Sequence, residues 1–314
     1  MKKILFVLGP TATGKTALGV ELALRLGGEI VSADSMQVYK RLSIGTAKPT
    51  RAEMRGIPHH LIDFWEPDQS FSAAAYRELA LGAIEGIFQR GTLPIVVGGT
   101  GLYADSILKP LDFSAAKSDP KLREKWQAFL DQNGPDALHR ELKKADPLSA
   151  ERLHKNNTRR IIRALEVIEL DRQPLSEQIA PPSSLRVGVG LSPLLIGLTM
   201  ERPALYARIE RRVDRMMEEG LPAELQRLLD EGLSPAAQCL QGIGYKELLP
   251  ALRGEMGLDE ATGLIKRNSR RYAKRQLTWF RANPAIGWHM LTESSSLPKL
   301  AEEIARDFLG NPTE

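Results

Sequence analysis

Residues 9–16 read GPTATGKT and follow directly on the apolar run ILFVL at residues 4–8. The glycines and the Lys-Thr pair match the pattern G-x-x-x-x-G-K-[ST], in the strand–loop–helix context that gives this pattern its meaning. In such a loop the backbone N–H groups point at phosphate oxygens, and the positive end of the following helix adds to the attraction. The stretch predicts a P-loop in an α/β fold that holds two linked phosphates. ATP is the ligand that the motif alone suggests.

Every residue of this loop is a candidate phosphate contact. Lys15 neutralises phosphate charge, and the Thr16 hydroxyl suits Mg²⁺, a hard cation that prefers oxygen ligands. A chance Gly-rich turn is the alternative, and the strand–loop–helix context argues against it. The candidate diphosphate-binding residues are Gly9, Pro10, Thr11, Ala12, Thr13, Gly14, Lys15 and Thr16, and Thr16 is also the candidate metal ligand.

The composition is that of an ordinary globular protein of 314 residues, with room for about two domains. Lys and Arg outnumber Asp and Glu by only 43 to 39, so the position of the charges matters more than the net charge. The one cysteine, Cys239, excludes an internal disulfide and a cysteine-based zinc cluster. No stretch approaches the ~20 apolar residues of a membrane span. We predict a cytoplasmic protein that does not contact a membrane.

Short apolar strands alternate with helical patterns over the first hundred residues. A second strand at residues 29–34 ends in an acid, and a third at residues 93–97 runs into the sequence GGTG. The run LLIGL at residues 194–198 resembles a further core strand. This alternation predicts a parallel sheet, whose ligands bind beyond the carboxyl ends of the strands. We expect the loops after the first three strands to face one crevice.

The composition of the sequence changes after residue 111. Residues 115–180 are charged and helix-prone and contain no convincing strand, and the stretch APPSSLRVGVGLSP follows them. The simplest interpretation is a helical domain inserted into the α/β core. We predict a P-loop NTPase-like parallel sheet core flanked by helices at residues 1–114 and 188–314, and an inserted all-helical domain at residues 115–187.

Two polar residues at the ends of predicted strands are candidates for chemistry. Asp34 could hold Mg²⁺ through water, act as a general base facing the crevice, or cap a helix within the DSMQ turn. The spacing alone does not separate these three roles. Thr100 lies among the glycines of VVGGTGLY, which either bring the backbone close to a ligand or form a tight turn.

The sequence KRNSRRYAKRQLTWFR at residues 266–281 is the strongest sign of a polyanionic partner. On a helix, Ile265, Tyr272 and Trp279 fall seven residues apart and predict a stripe that packs on the core. Since a solvated surface normally mixes charges of both signs, an unmixed basic one favours nucleic acid, with a merely solvated helix as the alternative. The run TRRIIR at residues 158–163 repeats the pattern. The stretch contains no acid and seven basic residues, Lys266, Arg267, Arg270, Arg271, Lys274, Arg275 and Arg281.

Three arginines follow one face of the helix predicted after residue 200. Arg208, Arg212 and Arg215 lie at i, i+4 and i+7, opposite an apolar stripe. Arginine forks suit phosphate oxygens, but they suit surface solvation as well, so this pattern leaves both interpretations open.

Eight segments occur in one order along the chain: GPTATGKT, SADSMQVYK, IGTAKP, GIPHHLID, VVGGTGLY, TRRIIRALEV, QGIGYKE and KRQLTWFR. In this combination the sequence resembles the tRNA isopentenyltransferase family, also called tRNA dimethylallyltransferases, over the whole chain. The resemblance implies transfer of a dimethylallyl group from dimethylallyl diphosphate to the exocyclic N6 amine of adenosine at tRNA position 37, beside the anticodon. It also implies that the loop holds the diphosphate rather than ATP.

The resemblance assigns roles to the candidate residues. It makes Asp34 the base and places Thr100 near the acceptor nitrogen or the diphosphate, with Mg²⁺ as cofactor. It carries over Arg208 and Arg212 as diphosphate contacts. The partner is the anticodon stem-loop, and we expect a monomer. The implied tRNA contacts are Asp34, Ser35, Met36, Gln37, Thr100, Arg123, Arg159, Arg160, Ile161, Ile162, Arg163, Leu240, Gln241, Gly242, Ile243, Gly244, Tyr245, Lys274, Arg275, Gln276, Leu277, Thr278, Trp279, Phe280 and Arg281.

Three other functions compete with this one. A P-loop kinase would explain the loop and Asp34 but not the basic helix or the insert. A non-catalytic RNA-binding protein with a vestigial loop would explain the basic helix alone. Plant adenylate isopentenyltransferases share the loop and the acid, but the basic segment at residues 266–281 favours tRNA. With one cysteine in 314 residues, the sequence resembles the short bacterial type rather than relatives that carry a zinc finger.

Overall fold

The computed structural model describes residues 2–109, 119–171 and 190–310. The chain divides into two compact units, one formed by Met1–Leu108 with Val187–Glu314 and the other by Lys109–Arg186. The predicted domain boundaries at 114/115 and 187/188 lie outside the described residues, so they stay predictions.

The first unit is built on a six-stranded, fully parallel sheet. Its strand order is β3-β2-β4-β1-β5-β6, which places the strand before the glycine loop near the centre. The parallel P-loop core is thereby confirmed, with two edge strands, β3 and β6, that the sequence did not reveal. The strands are β1 (Lys2–Leu8), β2 (Gly28–Ser32), β3 (His59–His60), β4 (Leu93–Gly98), β5 (Leu191–Met200) and β6 (Gly287–Leu291).

Helices flank this sheet and form the described part of the second unit. None of those described is long and apolar enough to cross a lipid bilayer. In chain order they are α1 (Lys15–Leu26), α2 (Arg51–Met54), α3 (Ala73–Gln89), α4 (Gly101–Leu108), α5 (Pro120–Ala145), α6 (Pro147–Arg152), α7 (Thr158–Asp171), α8 (Arg202–Glu218), α9 (Leu221–Asp230), α10 (Tyr245–Leu252), α11 (Leu258–Arg281) and α12 (Leu297–Leu309), with a 3₁₀ turn at Gln238–Gln241.

Both faces of the sheet are covered, which explains the continuous apolar run of β1. Ile4, Phe6 and Leu8 pack in one core with α3, α4, α9 and α10, whereas Leu5 and Val7 pack in a second core with α1, α12 and the first half of α8. All five side chains are almost completely buried. A strand buried on both faces cannot alternate apolar and polar residues, so it reads as an unbroken hydrophobic stretch.

The described part of the second unit, residues 119–171, contains helices only. Its helix α5 is broken at Gly134, whose φ of 77° and following Pro135 end the first helical stretch. Its core is assembled from α5, α6 and α7, with Leu138, Leu142 and Ile161 fully buried. This unit is all-helical over the residues described.

The apolar face of α11 differs from the predicted stripe. Ile265 is buried as expected, but Trp279 remains 38% exposed. Trp279 instead lies against Gly101, and its indole N–H donates to Asp105 Oδ2 at 3.1 Å. An α-helix drifts by ~20° per seven residues, so a strict seven-residue stripe leaves the core over two heptads. The residues of α11 that are buried are Ala261, Ile265, Ala273, Gln276 and Phe280.

Candidate functional site

The carboxyl ends of three neighbouring strands meet at one edge of the sheet. Leu8 of β1 is level with Gly98 of β4, and Ser32 of β2 is level with Val97. The chain beyond the strands stays connected, because the Thr100 N–H donates to the carbonyl of Ala33 at 3.1 Å. The glycine loop, the Asp34 turn and the Thr100 turn therefore lie together, as expected from the sequence.

The glycine loop has a backbone that only glycine adopts at its ends. Gly9 has a φ of 140°, and a Cβ there would lie 2.4 Å from the Leu198 carbonyl oxygen of β5. Gly14, with a φ of 91°, leads directly into the first turn of α1. The first glycine thus lets the loop pass against β5, and the second aims the helix N-terminus at the space in front of the loop.

Lys15 is partly buried in the glycine loop, where its ammonium donates to the Pro10 carbonyl at 2.7 Å. The pKa of Lys15 is lowered to about 7, mainly by burial and also by the positive charge of Arg212, with the Asp34 carboxylate opposing both. Lys15 and Arg212 are thus close enough to repel each other electrostatically. Such an arrangement favours the binding of a multiply charged anion, which relieves the repulsion between them.

The two arginines predicted to contact a diphosphate have different surroundings. Arg212 lines the cavity described below, and burial lowers its pKa, with Asp34 and Glu53 opposing that shift. Within the described residues Arg212 forms no ion pair. Arg208 does not line the cavity, and its guanidinium contacts the sulfur of Met200 at 3.6 Å. The structure favours Arg212 over Arg208 as an anion ligand.

A cavity of about 290 Å³ opens in front of Asp34. One wall is apolar, where α8 contributes Ile209, Val213 and Met216. The other lining residues carry cationic and hydroxyl groups and also include the apolar side chains of Met36, Ile243 and Ile265. The lining residues are Thr11, Asp34, Ser35, Met36, Gly45, Thr46, Ile209, Arg212, Val213, Met216, Gln241, Gly242, Ile243, Lys246, Ile265, Ser269, Tyr272 and Arg275.

The Asp34 carboxylate is both a turn former and a cavity group. Its Oδ1 accepts hydrogen bonds from the backbone N–H groups of Met36 at 2.9 Å and Gln37 at 3.3 Å. Residues 35–38 form a turn and not a helix, so the interpretation as a helix N-cap is wrong. Its other oxygen, Oδ2, has no hydrogen-bond partner within the described residues. One oxygen thus fixes the carboxylate and the other is available for chemistry.

Thr100 lies behind the Asp34 turn and supports it. Its hydroxyl accepts a hydrogen bond from the Ser35 N–H at 3.0 Å and donates to Ser35 Oγ at 3.3 Å. The pKa of Tyr272 is raised to about 12, mainly by burial and also by Asp34, with hydrogen bonds to Thr100 and Gln276 opposing the rise. Thr100, Tyr272 and Gln276 therefore form one polar network beside Asp34.

The donor groups suit Mg²⁺ only in combination with phosphate oxygens. The Thr16 hydroxyl, in the first turn of α1, has no hydrogen-bond partner within the described residues. Across the described parts of the chain, no cluster of three or more His, Cys, Asp or Glu side chains could hold a metal by itself. Mg²⁺ commonly takes one or two protein oxygens and completes its shell with phosphate and water. Thr16 fits that pattern.

The predicted tRNA contacts of the first unit divide into exposed and buried side chains. In α11, Lys274, Arg275 and Arg281 are exposed, whereas Gln276 and Phe280 are buried. In the other segment, Gln241 is exposed, and Leu240 and Tyr245 are completely buried. The buried members serve packing in this structure, and the exposed ones keep their predicted role as RNA contacts.

Most of the positive charge of α11 is exposed, as expected from the sequence. Lys266 pairs with Asp214 at 2.5 Å, and Arg270 pairs with Glu210, both acids of α8. The other five cations form no ion pair within the described residues. We call these five the α11 basic surface: Arg267, Arg271, Lys274, Arg275 and Arg281.

In the second unit, the predicted contacts also differ in their surroundings. Arg159 and Arg160 are exposed, whereas Ile161 and Ile162 are buried. The guanidinium groups of Arg123 and Arg163 contact the fully buried carboxylate of Glu166 at 2.9 Å and 2.7 Å. Burial alone would raise the pKa of Glu166, but these two arginines outweigh it and lower it. The two arginines stabilise this unit in addition to any contact with RNA.

The sequence did not reveal Glu224, which is 3% exposed and holds the loop of the IGTAKP segment. Its carboxylate accepts hydrogen bonds from the N–H groups of Ser43 and Ile44, both at 2.9 Å, and of Gly45 at 3.2 Å. The Tyr245 hydroxyl donates to the same carboxylate at 2.7 Å. A glutamate in an amphipathic helix resembles any surface acid, so nothing in the sequence marked it.

Comparison with known protein families and sequences gives one consistent result. The family model described as IPP transferase matches residues 37–283. A tRNA dimethylallyltransferase of Pelotomaculum thermopropionicum is 49% identical over 308 residues, with 96% of this chain and 95% of that protein covered. A tRNA dimethylallyltransferase of Shouchella clausii is 49% identical over 304 residues, with 96% and 95% covered.

Solved structures agree in fold. The tRNA isopentenylpyrophosphate transferase of Bacillus halodurans matches with a TM-score of 0.74 and 45% identity, and the match covers 99% of this chain and 97% of that one. A eukaryotic dimethylallyltransferase acting on tRNA matches with a TM-score of 0.83 and 30% identity, over 100% of this chain and 81% of that one.

Proposed function

This chain belongs to the IPP transferase family, and on that premise we propose how its cavity performs the transfer of a dimethylallyl group to tRNA. In our proposal the donor is dimethylallyl diphosphate, the acceptor is the N6 amine of adenosine 37, and diphosphate is released. One observation carries the proposal. Asp34 and Arg212 line one cavity together with the apolar side chains of α8, and the charge of Lys15 interacts with both of them.

The glycine loop and the two cations form the diphosphate end of the site. The N-terminus of α1 and the loop N–H groups attract the anion, and the Lys15 ammonium can exchange its bond with the Pro10 carbonyl for a phosphate oxygen. Arg212 supplies a planar guanidinium that suits two phosphate oxygens at once. The diphosphate therefore binds beside Arg212, which forms no ion pair within the described residues, and favours the charged form of Lys15.

The apolar wall suits the five-carbon group of the donor. Ile209, Val213 and Met216 lie on one face of α8, and Arg212 lies beside that face. One helix thus offers both a cation and a hydrophobic surface. Burying a methyl or methylene group there contributes about 0.8 kcal/mol. Apolar walls also exclude water, which would otherwise compete with the amine for the allylic carbon.

The reaction needs help at both ends of the bond that forms. An adenine amine is a weak nucleophile because its lone pair is delocalised into the ring. The bond between the allylic carbon and the diphosphate oxygen breaks while the bond between N6 and that carbon forms. Lys15, Arg212 and the loop N–H groups stabilise the charge that develops on the leaving diphosphate. Mg²⁺ bound by Thr16 would add positive charge at the same oxygens.

Asp34 is the base in this proposal. As N6 bonds to carbon it must lose a proton, and Oδ2 of Asp34 accepts it, while the Oδ1 bonds to Met36 and Gln37 keep the carboxylate in place. An adenine stacked in the anticodon loop cannot reach this cavity. The base must therefore leave the stack before the reaction, as in other enzymes that modify a base.

The α11 basic surface supports the assignment of the anticodon stem-loop as the partner. Five exposed cations that form no ion pair in the described part of the chain attract the phosphate backbone by displacing its counterions. Tyr272 and Arg275 of the same helix also line the cavity, so one element joins the RNA-facing surface to the reactive site. We also expect the protein to be a cytoplasmic monomer. Sedimentation equilibrium of the free protein would measure its mass.

Incubation with two labelled donors tests the proposed function. Labelled dimethylallyl diphosphate should transfer its label to tRNA and to no smaller acceptor, with one diphosphate released per transfer. Labelled ATP in place of that donor tests the two alternatives, a kinase activity and the ATP site that the motif alone suggests. Phosphoryl transfer from ATP in the absence of tRNA would contradict the proposal.

A further inference from the structure

Gln276 lies on α11 among the exposed cations, but its side chain is only 6% exposed. Its Oε1 accepts a hydrogen bond from the Thr11 N–H of the glycine loop at 2.9 Å. Its Nε2 donates to the Gly99 carbonyl, beside Thr100, at 2.8 Å. A single side chain thus connects the diphosphate loop to the turn that supports Asp34.

The space around this side chain is closely fitted. A Cβ on Gly99 would lie 2.3 Å from Gln276 Nε2 and 3.4 Å from the Gly9 carbonyl oxygen. Any larger residue at position 99 would displace the amide from its two partners. The end of β1, the end of β4 and helix α11 therefore meet at Gln276, and the amide fills the gap between them.

Both ends of the amide are used within the protein. Since the Thr11 N–H is directed at Gln276, this N–H is not free to contact a phosphate, and the loop must offer later N–H groups. The Thr100 N–H and hydroxyl continue the connection to Ala33 and Ser35. The chain of contacts runs from the loop through Gln276 to the Asp34 turn without interruption.

We propose that Gln276 is a positioning residue. It lies on the helix that carries the RNA-facing cations, and it sets the distance between the diphosphate loop and the Asp34 turn. It contacts neither substrate, which replaces its predicted role as a tRNA contact. This inference rests on the proposed function, because it assigns the loop to a diphosphate. Its consequence is that a change on α11 alters diphosphate binding without altering the affinity for tRNA.

The variant Gln276→Met removes both hydrogen bonds and keeps a side chain of similar length. We expect its dissociation constant for inorganic pyrophosphate to rise at least tenfold in calorimetric titrations, and kcat for prenyl transfer to fall at least tenfold. Its affinity for the tRNA anticodon stem-loop should stay within twofold of the wild type. The matched control is Gln226→Met, since Gln226 is an exposed glutamine of α9 whose amide donates to Asp230 on the same helix. The control should change none of these values.

The variant Gln276→Glu separates positioning from packing through its pH dependence. An ionised glutamate keeps the acceptor for Thr11 but opposes the Gly99 carbonyl, whereas a protonated one again carries a donor and an acceptor. Its pyrophosphate affinity relative to the wild type should therefore recover as the pH falls from 8 to 5.5. At the lower pH it should exceed that of Gln276→Met. Lys15, Arg212, Asp34 and Tyr272 are the charged or titratable groups around the site, and taking the ratio to wild type at each pH removes the pH dependence that the two proteins share.

Three results would overturn the inference. The first is that folded Gln276→Met binds pyrophosphate as tightly as the wild type. The second is that the pyrophosphate affinity of Gln276→Glu, relative to the wild type, does not change with pH. The third is that the tRNA affinity of Gln276→Met falls in step with its pyrophosphate affinity. If circular dichroism shows Gln276→Met unfolded, the pH series of Gln276→Glu decides alone. A wild type that binds pyrophosphate no better than Lys15→Met would instead contradict the proposed function, so the two failures are distinguishable.

Discussion

At the scale of single residues, the two oxygens of Asp34 have separate surroundings. Oδ1 is engaged by the N–H groups of Met36 and Gln37, and Oδ2 has no partner within the described residues. A carboxylate held by one oxygen can accept a proton at the other without losing its position. This division of roles is what the proposed mechanism requires of a general base.

Asp34→Asn tests this role with little change in structure. The amide oxygen can still accept the bonds from Met36 and Gln37, but the side chain can no longer take a proton from the amine. Positioned bases contribute about 10²–10⁴-fold, so we expect single-turnover prenyl transfer to slow by at least a hundredfold. The affinities for tRNA and pyrophosphate should remain within a few fold of the wild type. Asp259→Asn, at an exposed position of α11, is the control, and equal activity of the two variants would rule out Asp34 as the base.

Lys15 predicts a pH dependence of pyrophosphate binding. Because burial and Arg212 lower the pKa of Lys15 to about 7, the side chain is mostly neutral in the free protein at pH 8. A bound anion favours the charged form, so at pH 8 Lys15 must take up most of a proton when pyrophosphate binds, and at pH 6 almost none. Affinity should therefore weaken as the pH rises above 7.

Calorimetric titrations in two buffers of different ionisation enthalpy measure this proton uptake. Lys15→Arg keeps a permanent charge, so its uptake at pH 8 should fall by nearly one proton relative to the wild type. Equal proton uptake by the two proteins would show that Lys15 is already charged in the free site.

At the scale of elements, the loop at residues 43–45 depends on a single buried acid. Glu224 accepts three backbone N–H bonds and the Tyr245 hydroxyl, and burial together with this carboxylate raises the pKa of Tyr245 far above its usual value. The IGTAKP and QGIGYKE segments are thus joined through a residue that belongs to neither. Their order in the chain carried no sign of this contact.

Glu224→Ala should destabilise the fold and loosen the loop. It leaves three N–H groups and a buried hydroxyl without their partner, and each unpaired buried group costs about 1–3 kcal/mol before relaxation and water entry. We expect the free energy of unfolding in urea to fall by about 3 kcal/mol or more. Glu260→Ala, at an exposed position of α11, should change it by less than about 0.5 kcal/mol. A similar free energy of unfolding for both variants would mean that the loop at residues 43–45 keeps its conformation without Glu224.

Helix α11 predicts a salt dependence of tRNA binding. Each phosphate contact that is lost lowers the slope of the logarithm of affinity against the logarithm of salt concentration by about 1. Lys274→Gln should therefore reduce the slope by that amount, and Arg271→Gln combined with it by about twice as much, with pyrophosphate affinity unchanged. Lys299→Gln, on α12, is the charge-matched control. An unchanged slope in the double variant would remove α11 from the RNA interface.

The same helix shows what its sequence could and could not predict. The local pattern identified a basic, exposed helix, because charge of one sign is visible in the sequence. It could not identify Gln276, whose partners lie 265 and 177 residues away, or the turning of the face that leaves Trp279 exposed. Contacts of that kind depend on which elements the sheet brings together.

At the scale of the whole molecule, the sheet places the chemistry. The sequence predicted β1, β2, β4 and β5 because buried parallel strands give short apolar runs that end in glycine or polar turns. The crevice followed from the rule that parallel strands share one carboxyl edge. The cavity did not follow, because its apolar wall comes from α8, more than a hundred residues beyond the P-loop, and its shape depends on packing.

The most direct test of the whole account is one crystallographic distance. A crystal structure would be determined with the anticodon stem-loop and an unreactive sulfur analogue of dimethylallyl diphosphate. We predict the diphosphate in the loop at residues 9–16, and the N6 atom of adenosine 37 within about 3.2 Å of Asp34 Oδ2. A diphosphate bound elsewhere, or an adenine amine separated from Asp34 by another side chain, would contradict the account.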